Sequence, residues 1–223
     1  MRTGWLLILG LLIGCGSRIA GNVEGQKVGP LPSGFWYVLG SGDDEIIVAD
    51  VFSFPGACEV ETTYLKEVTD VYASYKTTLD QDALLDGLED AEKGNLPEDY
   101  WNFNLTLDAD PDEADGVETE YNINEDHEDG SFSGSHKQAY TDWEAVRVQN
   151  DSGGYHIATY YSEDGIATVT KFKDEKLLKA EVEAQLQDVN KDDVGDVVLH
   201  YKVPYCPDFE DAYADYLTEL ATF

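Results

Sequence analysis

Cations are scarce in this chain. Its 223 residues hold 14 Lys and Arg against 46 Asp and Glu, for a formal net charge of −32. So few positive charges among so many negative ones exclude DNA or RNA binding through phosphate neutralisation, because the surface repels a polyanion. No stretch approaches membrane-spanning length. The most apolar run, Gly4 to Ile13 (GWLLILGLLI), has ten residues and as a helix covers only ~15 Å of a ~30 Å hydrocarbon core. Cysteine is nearly missing, with three residues and no C-x-x-C spacing, which argues against a thiol-redox motif.

Catalytic signatures are missing as well. A nucleophile elbow needs G-x-S-x-G, and Gly130-Ser131-Phe132-Ser133-Gly134 places Phe where the serine would stand. His127 is followed by Glu128, but position 131 is Ser, so no H-E-x-x-H motif forms. The four His (127, 136, 156 and 200) are scattered; a zinc site from His127, His136 and nearby acids competes with plain exposed histidines, the default. With 46 carboxylates, some pair falls at glycosidase distance by chance, so acid pairs discriminate nothing. No phosphate-cradling Gly-rich loop occurs.

What is present supports a folded body. Apolar residues make up 42% of the chain, enough for a core and too many for a disordered acidic tail. The length fits one β-rich domain.

The N-terminus carries the most specific pattern. Met1-Arg2-Thr3 is a short basic start, the run Gly4–Ile13 fits the h-region of an export signal, and Leu12-Ile13-Gly14-Cys15 follows. These four residues resemble the lipobox of bacterial lipoproteins, in which small residues precede an invariant Cys read by the lipoprotein signal peptidase. The resemblance covers Met1 to Cys15 only. It implies a signal peptide over 1–14 and a mature chain beginning at Cys15, whose sulfur bears a diacylglyceryl thioether; two or more acyl chains suffice for stable membrane anchoring. The alternative is ordinary secretory cleavage with a leftover Cys. Residue 16 is Gly rather than the Asp that retains many Gram-negative lipoproteins on the inner membrane, which points to the outer membrane of the cell envelope. With Cys15 lipidated in an oxidising compartment, Cys58 and Cys206 remain to form a disulfide, the alternative being two free buried thiols.

Gly16 to Gly34 is rich in Gly, Pro and Ser without apolar periodicity, so residues 15–34 read as the lipidated Cys and a flexible tether reaching ~25 Å. Residues 35–223 read as a single β-rich domain. Phe35–Leu39 and Glu45–Phe54 are expected strands around Gly40–Asp43. Tyr64, Leu65, Val68, Val71, Tyr72 and Tyr75 form a helical stripe, and a second helix runs from an Asp80 cap to Lys93-Gly94, giving a helical insertion near 60–93. Trp101, Phe103, Leu105 and Leu107 alternate with polar residues, as do Val117 to Ile123, predicting a hairpin across an acidic connection. Strands follow over Lys137–Val148, Tyr155–Tyr161 and, after Asp164-Gly165, Ile166–Lys173. Leu178 to Leu186 alternates strictly and is assigned to a strand although its spacing also suits a helix. Turns are placed at Asp174-Glu175 and Asp192–Asp196, then a strand over Val197–Tyr205 and a terminal amphipathic helix from Phe209 to Leu220. The expected fold is mainly β (α+β): an antiparallel β-sandwich or open-barrel meander of about eight or nine strands with a helical insertion and a C-terminal helix.

Eleven carboxylates and no cation lie between Asp108 and Asp129. Asp108, Asp110 and Asp112 copy the first three ligand positions of an EF-hand loop, but Glu113 stands where Gly is needed and Thr119 where the bidentate Glu belongs. Ca²⁺ binding there stands beside the simpler reading of a solvated acidic loop. Asp188-x-Asn190-x-Asp192 starts the same way and fails likewise. Acidic excess of this kind also suits a saline setting, which requires no partner. Trp36, Trp101 and Trp143 are core residues by default and a sugar-binding face by alternative. Lys171, Lys173, Lys176 and Lys179 form the one basic cluster, expected to pair with acids across a hairpin, with lipid headgroups as the other option. The expectation for function is a lipid-anchored envelope protein with a non-enzymatic binding or structural role, contacting the membrane through its anchor. The alternative is a Ca²⁺-dependent, adhesin-like or carbohydrate-binding module. No protein or glycan partner is named by the sequence.

Overall fold

A computed structural model describes residues 17–40, 45–107, 118–123, 140–151 and 154–222. Among the described residues ten strands follow one another as β1 (Arg18–Val23), β2 (Gln26–Lys27), β3 (Ser33–Leu39), β4 (Ile46–Phe52), β5 (Asp99–Leu107), β6 (Thr119–Ile123), β7 (Tyr140–Asp151), β8 (Gly154–Lys173), β9 (Leu177–Gln187) and β10 (Asp193–Pro204). Helices α1 (Ala57–Thr78) and α2 (Gln81–Asn95) lie between β4 and β5, and α3 (Pro207–Ala221) closes the chain. The strands form one sheet in the order β2-β1-β10-β9-β8-β6-β7-β5-β4-β3. It is antiparallel except for a short β6–β7 contact and curls into a half-barrel. The curl brings β3 back to the end of β10: Trp36 bridges Tyr205, and the Cys206 amide donates to the Trp36 carbonyl at 2.9 Å.

Period-2 alternation explains the interior. Trp101, Phe103, Leu105 and Leu107 of β5 and Leu178, Ala180, Val182, Ala184 and Leu186 of β9 are all buried, and they join Trp36, Phe172 and Leu199 in one core inside the curl. Strands β3 and β4 are buried on both faces, which is why Ile46–Phe52 reads as a nearly unbroken apolar run. Their outer side carries a second core, where Phe35, Tyr37, Phe52 and Phe54 meet Leu65 of α1 and Phe209 and Ala212 of α3. Phe209 sits 4.8 Å from Phe35 and 4.7 Å from Tyr37, ring centre to ring centre. The disulfide Cys58–Cys206 ties the first turn of α1 to the residue preceding α3, with Cα atoms 6.1 Å apart.

Four expectations are corrected. From Ser17 onward the stretch read as a tether belongs to the sheet: Arg18–Gly21 pair with Val197–His200 of β10, and Ser17, Val23 and Leu31 are buried. Its glycines misled because one of them serves close approach rather than flexibility; Gly21, at φ 120°, would put a Cβ 2.2 Å from the Asp196 carbonyl oxygen. Second, β6 does not form a hairpin with β5. β5 pairs with β7, and β6 wedges between β7 and β8. Third, Asp164-Gly165 is no turn but an irregularity within the single long strand β8. Fourth, the turn expected at Asp192–Asp196 lies earlier, over 188–192, and β10 starts at Asp193.

Candidate functional site

The pattern Asp188-x-Asn190-x-Asp192 is turn chemistry. The Asp188 carboxylate accepts the amide hydrogens of Asn190 (2.8 Å) and Asp192 (3.0 Å), and the Asp192 carbonyl accepts from the Asp188 amide (3.1 Å). These hydrogen bonds hold the Asp188 carboxyl below the usual carboxylate range and close the β9–β10 hairpin. Among the described residues no three His, Cys, Asp or Glu side chains converge as a metal site. Cys15, Asp108, Asp110 and Asp112, together with His127 and His136, lie outside the described residues. Cys58 and Cys206 are joined. Trp36 is fully buried and packs against Phe172 and Tyr205, and Trp101 lies against Phe103 and Tyr160 with the Arg147 guanidinium over its ring. Both are core, which removes them from any exposed sugar-binding face.

The most perturbed titratable groups among the described residues gather where no motif pointed. Asp50 is in β4 on the face turned toward the helices, between Val48 and Phe52, and is only 6% exposed. Asn104 stands opposite it on β5 and donates to its Oδ1 at 3.0 Å. Tyr37 of β3 hydrogen-bonds the same carboxylate. Glu61, on the second turn of α1, comes down onto this cluster. Burial, then the Asp50 charge, pushes the Glu61 carboxyl up to about 8, while burial and Asp50 drive the Tyr37 phenol far above its ordinary value. The arrangement can hold one proton on Glu61 near neutrality beside the Asp50 carboxyl, which accepts hydrogen bonds from Asn104 and Tyr37. It lies where α1 packs on the outer face of β3 and β4. The sequence did contain a signal for it: an acid inside the apolar run Ile46–Phe52.

On the far side of the molecule, the outer faces of β8, β9 and β10 are exposed to solvent. A shallow groove of about 560 Å³ there is lined by Ala20, Gly21, Gly165, Ile166, Glu183 and Val198, among others. Next to it His200 Nδ1 meets the Glu181 carboxylate at 2.7 Å. Further along the same strands the basic cluster appears. Lys171 stands opposite Lys179 in the strand register, and Lys179 opposite Lys202. Sequence reading missed Lys202 and Arg18 as members of this face because both come from remote strands. No protein-family model, curated protein or solved structure matches the chain.

Proposed function

We propose that this chain is a lipid-anchored protein of the bacterial cell envelope. In this reading Cys15 carries the lipid after cleavage behind Gly14, and the half-barrel is a non-enzymatic binding or structural module at the outer membrane. The observation that carries the reading is the sequence Met1–Cys15: a basic start, a ten-residue apolar run, and small residues before a Cys. The start of the sheet supports it, since β1 begins at Arg18, directly after the expected cleavage point, so removal of residues 1–14 leaves the described body whole. The Cys58–Cys206 bridge suits an oxidising compartment. An interior filled by Trp36, Phe103, Phe172 and their neighbours is a core and not a ligand cup, so binding in this reading falls to the outer surfaces.

Expression in a bacterium that processes lipoproteins tests it. The intact mass of the membrane-extracted protein is expected to equal a chain starting at Cys15 plus its acyl groups, and Cys15→Ser is expected to stop processing and acylation. An unacylated chain recovered from the soluble periplasm would reject the reading.

A further inference from the structure

On the outer face of the sheet, Ala20, Val198, Glu183 and Ile166 stand side by side across β1, β10, β9 and β8. Asp196 stands opposite Gln185 in the next outward row. The residues alternating with them, Val182, Ala184, Val197 and Leu199, are buried in the core inside the curl, which fixes the outward direction of both rows. Residues of both rows line the groove of about 560 Å³. Its walls come from four strands, so it crosses the strands instead of following them. At about 4.8 Å between strands it is ~14 Å long, the reach of about four residues of extended chain.

Two chemistries meet in this lining. Ile166, 42% exposed, and the half-buried Val198 flank Glu183 in its row, so an apolar side chain stands on each side of a carboxylate. Among the described residues neither Glu183 nor Asp196 is held in an ion pair, whereas Glu181, one row along, meets His200 at 2.7 Å. A carboxylate between two aliphatic side chains complements lysine or arginine, whose methylene stem packs on apolar surface while its cationic head reaches the charge. An inorganic cation would leave Ile166 and Val198 unused, and the two carboxylates repel anions. The net charge of −32 draws basic partners toward the surface over a longer range. We propose that this groove docks an extended basic segment of a partner protein, with one Lys or Arg stem between Ile166 and Val198, its cationic head on Glu183, and a second cation on Asp196. Because the groove crosses the strands, side chains hold the segment, and no strand is added at a sheet edge. The inference rests on the binding half of the reading above and names its partner class.

The test uses the full mature protein extracted from membranes, with its acyl groups checked by intact mass. The probe is dye-labelled Val-Lys-Val-Lys-Val, with Val-Glu-Val-Glu-Val as control, and binding is read by fluorescence anisotropy. A strongly acidic protein attracts basic peptides everywhere on its surface, so two variants of equal charge are compared. Glu183→Gln with Asp196→Asn is expected to weaken binding about tenfold or more, while Asp86→Asn with Asp90→Asn, at exposed positions of α2, is expected to change it less than about twofold. In the parent, carbodiimide coupling of the bound peptide is expected to join its lysine amines to Glu183 and Asp196, located by peptide mass spectrometry, a measurement that needs no variant to fold. Equal weakening by both variants, or cross-links spread alike over helices and sheet, overturns the groove. So does displacement of the peptide by spermidine at an equal or lower concentration, which assigns the carboxylates to a small polyamine. Each of these outcomes leaves the anchored reading standing where the acyl mass is found. Cross-links at Glu183 and Asp196 on a chain without acyl groups keep the groove and reject the anchor.

Discussion

A carboxylic acid pressed between a sheet and a helix cannot keep its ordinary proton affinity, and Glu61 shows the consequence. Its carboxyl is raised from 4.5 to about 8 in the folded protein by burial and then by the Asp50 charge. Between those values the unfolded chain ionises Glu61 while the folded chain keeps it protonated, so unfolding releases a proton and stability falls as pH rises from about 4.5 to about 8. Above that range the loss is complete. Glu61→Gln removes the ionisation and is expected to raise stability at pH 8.5 by roughly 1–3 kcal/mol, the partly exposed position reducing the full effect. Urea denaturation at pH 5 and pH 8.5 measures it: the two midpoints should differ less in the variant than in the parent. A second residue sits in an unfavourable backbone state. Leu79 ends α1 at φ 55° and is 72% exposed, so its side chain gains little from packing to offset the left-handed conformation. Leu79→Gly is expected to stabilise the protein by about 0.5–1 kcal/mol, read as a higher melting temperature; a lower one would mean that Leu79 contributes packing this geometry does not credit.

Elements whose reason for forming is local were readable in the sequence, and those whose reason is a distant neighbour were not. The stripe Tyr64–Tyr75 and the Asp80 cap predict α1 and α2, and Asp80 does accept the amides of Asp82 and Ala83 at 3.1 Å. The alternation in β5 and β9 predicts that every second side chain turns inward, and Trp101, Phe103, Leu178 and Val182 are indeed buried. Strand β1 escaped because its pairing depends on β10, nearly 180 residues away, and because Gly, Pro and Ser imitate a linker. The wedge of β6 between β7 and β8 escaped for the same reason, since alternation gives a strand's faces but not its neighbours. Of the candidate sites, the Cys58–Cys206 pair was legible from cysteine arithmetic, whereas the Asp50–Glu61 cluster is made by docking a helix on a sheet and has no spacing in the sequence. The glycine in β1 tests the corrected reading. Gly21→Ala drives a methyl group toward the Asp196 carbonyl, 2.2 Å from its ideal position, and is expected to cost about 1–3 kcal/mol. Hydrogen exchange should locate the loss at β1 and the adjoining half of β10. A true tether at this position would tolerate alanine without change.

At the scale of the whole molecule, two long-range terms act on the same fold with opposite sign. A net charge of −32 repels itself, and salt screens the repulsion over a length that falls from about 30 Å at 0.01 M to 3 Å at 1 M. Raising NaCl across that range is therefore expected to increase the melting temperature by several degrees, as measured by circular dichroism. The Cys58–Cys206 bridge opposes unfolding from the other direction. It spans a sequence separation of 148, for which loop-closure entropy gives roughly 5 kcal/mol in a chain-entropy account. Its two ends lie where α1 and α3 meet the outer face of β3, so it also fixes the second core, in which Phe35, Tyr37 and Phe209 pack. Replacing both cysteines, Cys58→Ala with Cys206→Ala, is expected to cost about 2–5 kcal/mol and to let α3 exchange its amides before the half-barrel does. Reductant should lower the urea midpoint of the parent and leave that of the double variant where it was. If reductant leaves the parent's midpoint in place, the bridge does not restrain unfolding, and the second core holds the helices on its own packing.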